Sequence, residues 1–493
     1  MTATPYSIMH ISDLHRSPED PISNEELVSA LLHDRDRYVK EEPGIPAPQV
    51  IVVSGDLIEG VRLGTKDFSS RIEEQYAVAE ELLSELATRF LDGDRSRLVM
   101  VPGNHDVDWN TAFSALVPVD PSETPKDLAT ELYAEDSLFR WNWNTRTLYR
   151  IADREVYDKR LEPFWCFFER FYVGWDGPSK AHESHDARAY DLFGGVVGVA
   201  AFNSCDRNDC FAYHGRVRPE SVAGSDLGLR DSDAVHDLRV AVWHHSIEGS
   251  PYRSDYMDVD IVRGMIGRGF GLGLHGHQHK AQAGSQEIRL PSLESMAVIS
   301  AGSLCAGRRH LPKGTYRQYN VIEIAPDLRS VRTHVRAMAV ANVFSRATLL
   351  EFGGGSYMDL PLGVKRNAVG QAIDGRAVRL ERQIEQEEVE LKSGNPIRAL
   401  EILDGMELPS GSHERQLYVD AAEAAEDWEA ITRATNPPTN IAELVLRFSA
   451  LCKLEDYQGA GETVARHARE LDLSEAMESE LRQRLESIVA MKG

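Results

Sequence analysis

Short apolar runs, several of them rich in valine and isoleucine, recur through the first half of the chain. They occupy residues 6–11, 49–54, 98–101, 196–203, 239–243 and 270–274. Several of them end at a polar or glycine-containing turn, which is typical of buried strands. Helices are predicted between the first three runs, over residues 23–39, with Ser23 or Asn24 as the N-cap, and over residues 69–90. This alternation predicts an α/β core with a partly parallel sheet.

An aromatic-rich stretch at about residues 109–188 interrupts the alternation. It holds five of the seven tryptophans and a dense run of aromatic side chains from Phe164 to Tyr172. We predict a mostly helical insertion that lies over the core, because aromatic residues at helical spacing usually pack as a core themselves. The alternative is a lid over a binding site, with base-stacking or phosphate-binding candidates at Trp141, Trp143, Trp165, Arg146 and Arg150.

After residue 363 the composition changes to alanine, glutamate, leucine and arginine with helical periodicity. Three similar segments are anchored at Pro396, Trp428 and Tyr457, which are 32 and 29 residues apart. This pattern weakly resembles helical hairpins of the tetratricopeptide type, in which small residues let two helices approach closely. We therefore predict a helical domain over residues 363–493 that binds a protein partner or self-associates. A plain helical bundle that caps the preceding domain is the alternative.

The bulk composition is that of a large globular protein. At 493 residues, with 42% apolar and 27% charged residues, the chain is long enough for two or more domains. No apolar run approaches the roughly 18 residues that cross a bilayer, and residues 1–6 lack the basic start of a secretory signal. Five cysteines, an odd number, suit reduced thiols better than a disulfide framework. We therefore expect a cytoplasmic protein that does not bind membranes.

The net charge of −24 argues against long-range attraction to nucleic acid. Residues 371–493 carry 25 acidic and 14 basic side chains and so contribute −11, and the remaining −13 is spread over the rest of the chain. No block of lysine and arginine stands out in the sequence. A small anionic substrate is compatible with this charge, since bound metal ions would reverse the local sign inside a cleft.

Seven side chains with metal-binding atoms follow the predicted strands at or near their ends. They are Asp13, His15, Asp56, Asn104, His244, His277 and His279. Oxygen and imidazole ligands without thiolate suit manganese, iron, zinc or nickel better than calcium or magnesium, and we favour manganese. Seven ligands divided over two ions, with Asp56 bridging through its two carboxylate oxygens, leave open positions for water and substrate. Such a pair, about 3.5–4 Å apart, can clamp phosphate oxygens and deliver a metal-bound hydroxide in line with the leaving group.

In chain order the motifs are Asp-Leu-His from residue 13, Gly-Asp from 55, Gly-Asn-His-Asp from 103, His-His from 244 and Gly-His-Gln-His from 276. This ordered set resembles the calcineurin-like metallophosphoesterase superfamily over roughly residues 6–340. The resemblance implies a catalytic α/β domain over residues 1–362, with two mixed β-sheets packed as a sandwich and flanked by helices. It implies that one metal is held by Asp13, His15, Asp56 and His279, and the other by Asp56, Asn104, His244 and His277.

The resemblance also implies that His105 is a catalytic histidine that binds no metal. From its position beside Asn104, His105 could donate a proton to the leaving oxygen or stabilise charge on the phosphoryl group. Both residues are candidate substrate contacts. Asp106 orients His105 in one interpretation and closes the turn in the other. Arg16 is a further candidate substrate contact, and the two members of the His-His motif could exchange roles.

Within the superfamily, Gly55-Asp56-Leu57 followed by Gly60 and the Gly-Asn-His-Asp motif looks like the branch of cyclic-nucleotide and related phosphodiesterases. Asn203-Ser204 stands where that branch has Asp-Ser. We therefore predict a metal-dependent phosphodiesterase or phosphatase that acts on a nucleotide-like substrate. A DNA or RNA nuclease is one alternative, since the DNA exonuclease branch shares Gly-Asn-His-Asp. The other is a protein-binding regulatory module that uses the C-terminal helices and has a vestigial metal site.

Overall fold

The computed structural model describes residues 4–362 and 391–492, apart from residues 135, 176, 181–185, 233, 235, 250–254, 291, 308–310, 341, 392–394, 404–412 and 472. The chain divides into two compact units. The first comprises Met1–Ile288 with Leu293–Ala368, and the second comprises Arg289–Ser292 with Val369–Gly493. The predicted domain boundary at residue 362 adjoins a stretch outside the described residues and stays a prediction.

The described strands are β1 (Tyr6–Ile11), β2 (Val50–Val53), β3 (Leu98–Met100), β4 (Leu116–Pro118), β5 (Phe139–Asn142), β6 (Thr147–Ile151), β7 (Ser179–Lys180), β8 (Ala187–Leu192), β9 (Val197–Phe202), β10 (Leu238–Val242), β11 (Leu272–His275), β12 (Gln282–Leu290), β13 (Ser292–Ser300), β14 (Arg317–Ile324), β15 (Ser330–Val340), β16 (Val343–Arg346) and β17 (Tyr357–Pro361). The described α-helices are α1 (Asn24–Arg35), α2 (Phe68–Phe90), α3 (Trp109–Ser114), α4 (Leu128–Tyr133), α5 (Arg154–Asp158), α6 (Glu162–Phe171), α7 (Pro219–Asp231), α8 (Val259–Gly267), α9 (Pro396–Leu403), α10 (His413–Ala424), α11 (Trp428–Ala434), α12 (Ile441–Lys453), α13 (Tyr457–His467) and α14 (Glu475–Lys492).

Two mixed sheets form the core of the first unit. The first sheet has the strand order β16-β15-β14-β1-β2-β3, with β17 beside β15. In it β1, β2 and β3 are parallel, whereas β14 is antiparallel to β1. The second sheet has the order β12-β13-β11-β10-β9-β8-β7, in which β9, β10, β11 and β13 are parallel. The predicted fold class, two mixed sheets flanked by helices, is confirmed.

Strands β9 and β10 are buried on both faces, which explains their continuous apolar sequence. Val199 of β9 and Val240 of β10 belong to the core that also contains Ile8 of the first sheet. Phe202 of β9 belongs instead to a core with Val262 of α8. Since successive side chains of a strand point to opposite faces, one face of the second sheet meets the first sheet and the other meets helices.

The aromatic-rich insertion contains α3 to α6, but it also contains a three-stranded antiparallel sheet of order β4-β6-β5. The prediction of a mostly helical insertion missed this sheet, because strands of three to five residues are too short to show a clear alternation. Helix α6 packs as predicted, with Phe164, Phe167 and Phe171 buried in the main core. Trp143, in the turn after β5, is 76% exposed.

Residues 391–492 are helical wherever regular structure is described. Helices α9, α11 and α13 begin at the three anchor positions Pro396, Trp428 and Tyr457. Asp427 and Asp456 cap α11 and α13 alike, since each carboxylate accepts a hydrogen bond from the backbone N–H three residues on. Kinship with tetratricopeptide hairpins stays a prediction. Of the helices that the structure describes, none combines the length and the apolar character needed to span a bilayer.

Candidate metal centre

The seven predicted ligands come together at the C-terminal ends of strands from both sheets. In the first sheet β1, β2 and β3 precede Asp13, Asp56 and Asn104, and in the second sheet β10 and β11 precede His244 and His277. Parallel strands end at the same edge of a sheet, so the turns that follow them converge. The structure brings all seven side chains into one cluster.

Four of these residues, Asp13, His15, Asp56 and His279, form what we call the first donor group. One ligand atom from each lies within 4.8 Å of those of the other three. His279 Nε2 lies 3.1 Å from His15 Nε2 and 3.2 Å from Asp13 Oδ1. Two carboxylates and two imidazoles that converge in this way are a donor set for a divalent transition metal.

Asn104, His244 and His277, together with Asp56, form the second donor group. Asn104 Oδ1 lies 3.0 Å from His244 Nε2 and 2.9 Å from His277 Nδ1. The two imidazole nitrogens are 3.3 Å apart. An uncharged amide oxygen therefore stands in this group where the first group has a second carboxylate.

Asp56 belongs to both groups through one of its oxygens. Its Oδ2 lies 3.7 Å from His15 Nε2 in the first group and 3.4 Å from His244 Nε2 in the second. Its Oδ1 accepts a hydrogen bond of 2.8 Å from the backbone N–H of His105. The expectation that Asp56 bridges two ions through both oxygens stays a prediction, in which Oδ1 would also accept the hydrogen bond from the Gly-Asn-His-Asp turn.

Five predicted ligands have a left-handed backbone conformation, which residues other than glycine rarely adopt. The φ angles are 52° at Asp13, 45° at His15, 54° at Asp56, 76° at His277 and 54° at His279. Each such residue costs about 1–2 kcal/mol, so the surrounding fold has to hold these turns in place. The concentration of strained residues in one cluster is typical of a functional site.

Two glycines allow the turns to approach one another. Gly55 has a φ of 97°, and a Cβ atom there would lie 2.5 Å from His244 Nδ1. A Cβ atom on Gly103 would lie 2.2 Å from Asp56 Oδ1. Glycine is therefore required at Gly55 by backbone conformation and by space, and at Gly103 by space.

The protonation states of the cluster fit a bound cation. Burial lowers the pKa of His277 to about 4, so its imidazole is neutral and can donate a lone pair. Burial acts to raise the pKa of Asp13, but the imidazole of His279 outweighs it and holds that pKa below its usual value. Burial acts to lower the pKa of His244, yet the charge of Asp56 raises it to about 9. A divalent cation bound between Asp56 and His244 would displace the proton of the His244 imidazolium.

A family model described as calcineurin-like phosphoesterase matches residues 6–281, which is more than half of the chain. The chain belongs to the calcineurin-like phosphoesterase family. It is therefore a phosphoesterase of a family that depends on divalent metals, and its first donor group is a candidate metal site.

Solved structures similar to this phosphoesterase include calcineurin-like phosphoesterase YfkN from Bacillus subtilis, with 12% identity, coverage of 79% of this chain and 98% of that chain, and a TM-score of 0.31. Vps29 complexed with zinc from Entamoeba histolytica has 10% identity, coverage of 72% and 98%, and a TM-score of 0.24. A metallophosphoesterase from Sphaerobacter thermophilus has 14% identity, coverage of 67% and 88%, and a TM-score of 0.23. None of the curated proteins compared matches the chain significantly.

Hydrogen bonds behind the phosphoesterase centre distinguish the two members of the His-His motif. His244 Nδ1 donates to the backbone carbonyl of Ser54 at 2.7 Å, which directs Nε2 toward the centre. His245 instead bonds the Ser204 hydroxyl at 2.8 Å and Asn208 Oδ1 at 3.0 Å. The Ser204 hydroxyl also accepts the backbone N–H groups of both histidines. Sequence reasoning marked Ser204 only as a family position and missed Asn208 entirely.

His105 lies beside the first donor group. Its Nδ1 is 2.6 Å from the backbone carbonyl of Glu59, and because a carbonyl can only accept, Nδ1 carries a proton. Its ring meets the His15 ring edge-on, with the centroids 4.5 Å apart. The side chain is half-buried, so it reaches the centre and remains in contact with solvent.

Asp106 is a buried residue that ties two turns together. Its Oδ2 accepts hydrogen bonds from the backbone N–H groups of Gly103 and Leu57, at 2.8 and 3.2 Å, and its Oδ1 accepts one from the Tyr76 hydroxyl at 3.1 Å. Burial and the nearby charge of Asp56 raise its pKa to about 7. These contacts match the interpretation in which Asp106 closes the turn. The other interpretation, in which Asp106 orients His105, is not favoured, because His105 Nδ1 bonds the Glu59 carbonyl.

Arg16 does not have the position predicted for a substrate contact. The residue is 1% exposed, and its guanidinium lies 2.7 Å from Asp20 Oδ2 and donates to the Ile22 carbonyl at 3.1 Å. The sequence interpretation rested on its adjacency to His15, whereas the chain direction after the turn buries the side chain. Arg16 therefore supports the loop of residues 17–22.

Proposed function

We propose that this phosphoesterase hydrolyses phosphodiester bonds of nucleotide-like substrates with two divalent metal ions, manganese being the most effective. The position of Asp56 Oδ2 between the two donor groups carries this proposal. A carboxylate oxygen shared by two sets of donors supports a paired metal site better than two separate ones. The donor chemistry, imidazole and oxygen without thiolate, supports manganese, iron, zinc or nickel.

The proposed ligands of the two ions are the two donor groups. Divalent ions held there would polarise a phosphoryl oxygen and activate water. The chain contributes the orientation of these donors: Ser54 fixes His244, and the left-handed turns fix Asp13 and His279.

We propose that His105 acts on the leaving group and that, with Asn104, it contacts the substrate. The hydrogen bond from Nδ1 to Glu59 orients the ring and fixes its tautomer. When protonated at Nε2, the imidazole can donate a proton to the leaving oxygen or stabilise charge on the phosphoryl group.

Hydrolysis of bis(p-nitrophenyl) phosphate in manganese tests the paired site. We expect Asp56→Asn to lower kcat/KM by about a thousandfold, because an amide oxygen cannot supply the shared negative charge. The matched control is Asp92→Asn, since Asp92 has a φ of 55°, close to the 54° of Asp56, but its side chain is 99% exposed. An Asp56→Asn variant that keeps both its activity and two bound ions per chain would refute the proposal.

A substrate panel tests the proposed specificity. Cyclic nucleotides, p-nitrophenyl phosphate, single-stranded DNA and duplex DNA would be compared in the same manganese buffer. We expect the small diesters to be cleaved fastest, because the net charge of −24 does not favour a polyanion. Faster cleavage of the oligonucleotides than of any small diester would replace this proposal with the nuclease alternative.

We also propose that residues 1–362 form the catalytic domain and that residues 363–493 bind a protein partner or self-associate in the cytoplasm. The separate apolar cluster containing Leu403, Tyr418 and Ile431 supports an independently packed helical region. Size-exclusion chromatography with light scattering of the full chain tests self-association. A monomer at all concentrations leaves the protein partner as the proposal to be tested by co-purification.

A further inference from the structure

A cavity of about 780 Å³ borders the metal centre at His15. It is also lined by the loop of residues 17–22, by Glu59 and Arg62, and by Arg317 and Asn342. Glu59 is the residue whose carbonyl orients the catalytic candidate His105. A cavity of this size holds a small organic ligand, and it adjoins the centre at His15.

The loop of residues 17–22 is a preformed wall. Asp20 accepts a hydrogen bond from the backbone N–H of Ser17 at 3.0 Å, and the buried Arg16 guanidinium lies 2.7 Å from the same carboxylate. Arg16 also donates to the Ile22 carbonyl at 3.1 Å. The charge of Asp20 is therefore paired inside the wall, and these contacts hold the loop in one conformation.

Two guanidinium groups remain at the cavity surface. Arg62 is exposed, and the half-buried Arg317 donates from Nε to the Cys305 carbonyl at 3.3 Å. That hydrogen bond orients the guanidinium, and its terminal nitrogens have no hydrogen bond to any described residue. Divalent ions at His15 would add positive charge at the same end. Among the described residues that line the cavity, none is phenylalanine, tyrosine or tryptophan, so its character is set by charged and polar groups.

We propose that this cavity is a subsite for a second anionic group of the substrate, a phosphate separate from the scissile one, bound by Arg62 and Arg317. This inference rests on the proposed phosphodiesterase function and names the kind of diester that the centre selects. The exposed carboxylates Glu19 and Glu59 lie on the same lining and can accept hydrogen bonds from hydroxyl groups between the two phosphates. The preferred substrate is thus a nucleotide with two separate phosphates.

A matched pair of chromogenic diesters tests the subsite. The probes are thymidine 5′-(p-nitrophenyl phosphate) and the same compound carrying a 3′-phosphate, which differ by one anionic group and share the scissile bond. For the full-length chain in manganese, we expect kcat/KM to be at least about tenfold higher for the second probe. We expect the single variant Arg317→Gln to reduce the advantage of the second probe. The double variant, Arg62→Gln combined with Arg317→Gln, should remove it. Arg317→Lys should keep part of the advantage, because lysine retains the positive charge.

Arg71→Gln is the control, because Arg71 is a half-exposed arginine on α2 that pairs with Asp67. It should leave both rates unchanged. Calorimetry with thymidine 3′,5′-bisphosphate and thymidine 5′-monophosphate gives a second readout, in which Arg317→Gln should weaken only the advantage of the bisphosphate. Equal Kd values for the two nucleotides in the unsubstituted chain would overturn the subsite even if hydrolysis proceeds. Failure to hydrolyse either probe, with the bisphosphate still preferred, would instead overturn the proposed function alone.

Discussion

The two donor groups of the centre differ in charge. The first contains the carboxylates of Asp13 and Asp56, whereas the second has only its share of Asp56 and the neutral amide of Asn104. A cation in the first group therefore meets more negative charge than one in the second. From this difference we propose that the first group binds its ion more tightly. An ion in the second group would keep more net positive charge, which would attract the substrate phosphate.

The groups also differ in how they are held. All four residues of the first group have a left-handed backbone, whereas in the second group Asp56 and His277 have one and Asn104 and His244 do not. The first group is thus held throughout by strained turns, and the second also depends on hydrogen bonds such as that from His244 to Ser54. The comparison shows that one centre can combine two kinds of preorganisation.

Gly55→Ala should have the largest effect, because it damages both groups at once. The new Cβ atom would collide with His244, and the left-handed backbone before Asp56 would be strained. We expect unfolding stability to fall by about 2–3 kcal/mol and activity by at least a thousandfold. Gly64→Ala is the control, with a φ of 88° but no atom within 4 Å of the new Cβ. Similar losses in the two variants, by thermal unfolding and diester hydrolysis, would contradict the steric argument.

Substitution of one ligand from each group should separate the two ions. We expect Asn104→Ala to retain one ion per chain and to lose about a hundredfold in activity, because the more negative first group is intact. Asp13→Asn should lose the tightly bound ion and more activity. Elemental analysis after gel filtration measures both. If both variants retained two ions per chain, the proposed difference in metal affinity between the two groups would be contradicted.

Local patterns predicted much of this architecture. Ser23 caps α1 as one of the two predicted candidates, and its hydroxyl accepts the backbone N–H of Glu26. Helix α2 begins at Phe68, one residue before the predicted start. Strand β1 has the predicted bounds, and the ligands follow strands as expected. These features depend on apolar periodicity and capping, which are encoded within a few residues.

Features that depend on distant contacts were not predictable. Arg16 was assigned to the substrate because it follows His15, but its burial depends on the loop that packs over it. Strand β12 mixes glutamine, serine, glutamate and arginine and contains no apolar run. The Ser204 hydroxyl bonds His245, which is 41 residues away. None of these three features produces a periodic pattern of apolar residues in the sequence.

His105→Ala should reduce catalysis without changing the metal content, because the side chain lies beside the donor groups but holds no assigned ion. We expect kcat to fall by about a hundredfold, as is usual for loss of a general acid. His33→Ala, at an exposed position on α1, is the control. Loss of an ion from the His105→Ala variant in elemental analysis would show that His105 is a ligand.

Ser204→Ala should have the smallest effect and should act mainly on the second group. Its hydroxyl receives the backbone N–H groups of His244 and His245, so its removal loosens a ligand without deleting one. We expect manganese affinity at one of two sites to fall about tenfold, with activity restored by excess metal. Ser221→Ala is the control, since Ser221 is buried but its hydroxyl has no hydrogen-bond partner among the described residues. A loss of activity that excess manganese does not restore would place Ser204 in the chemistry and not behind it.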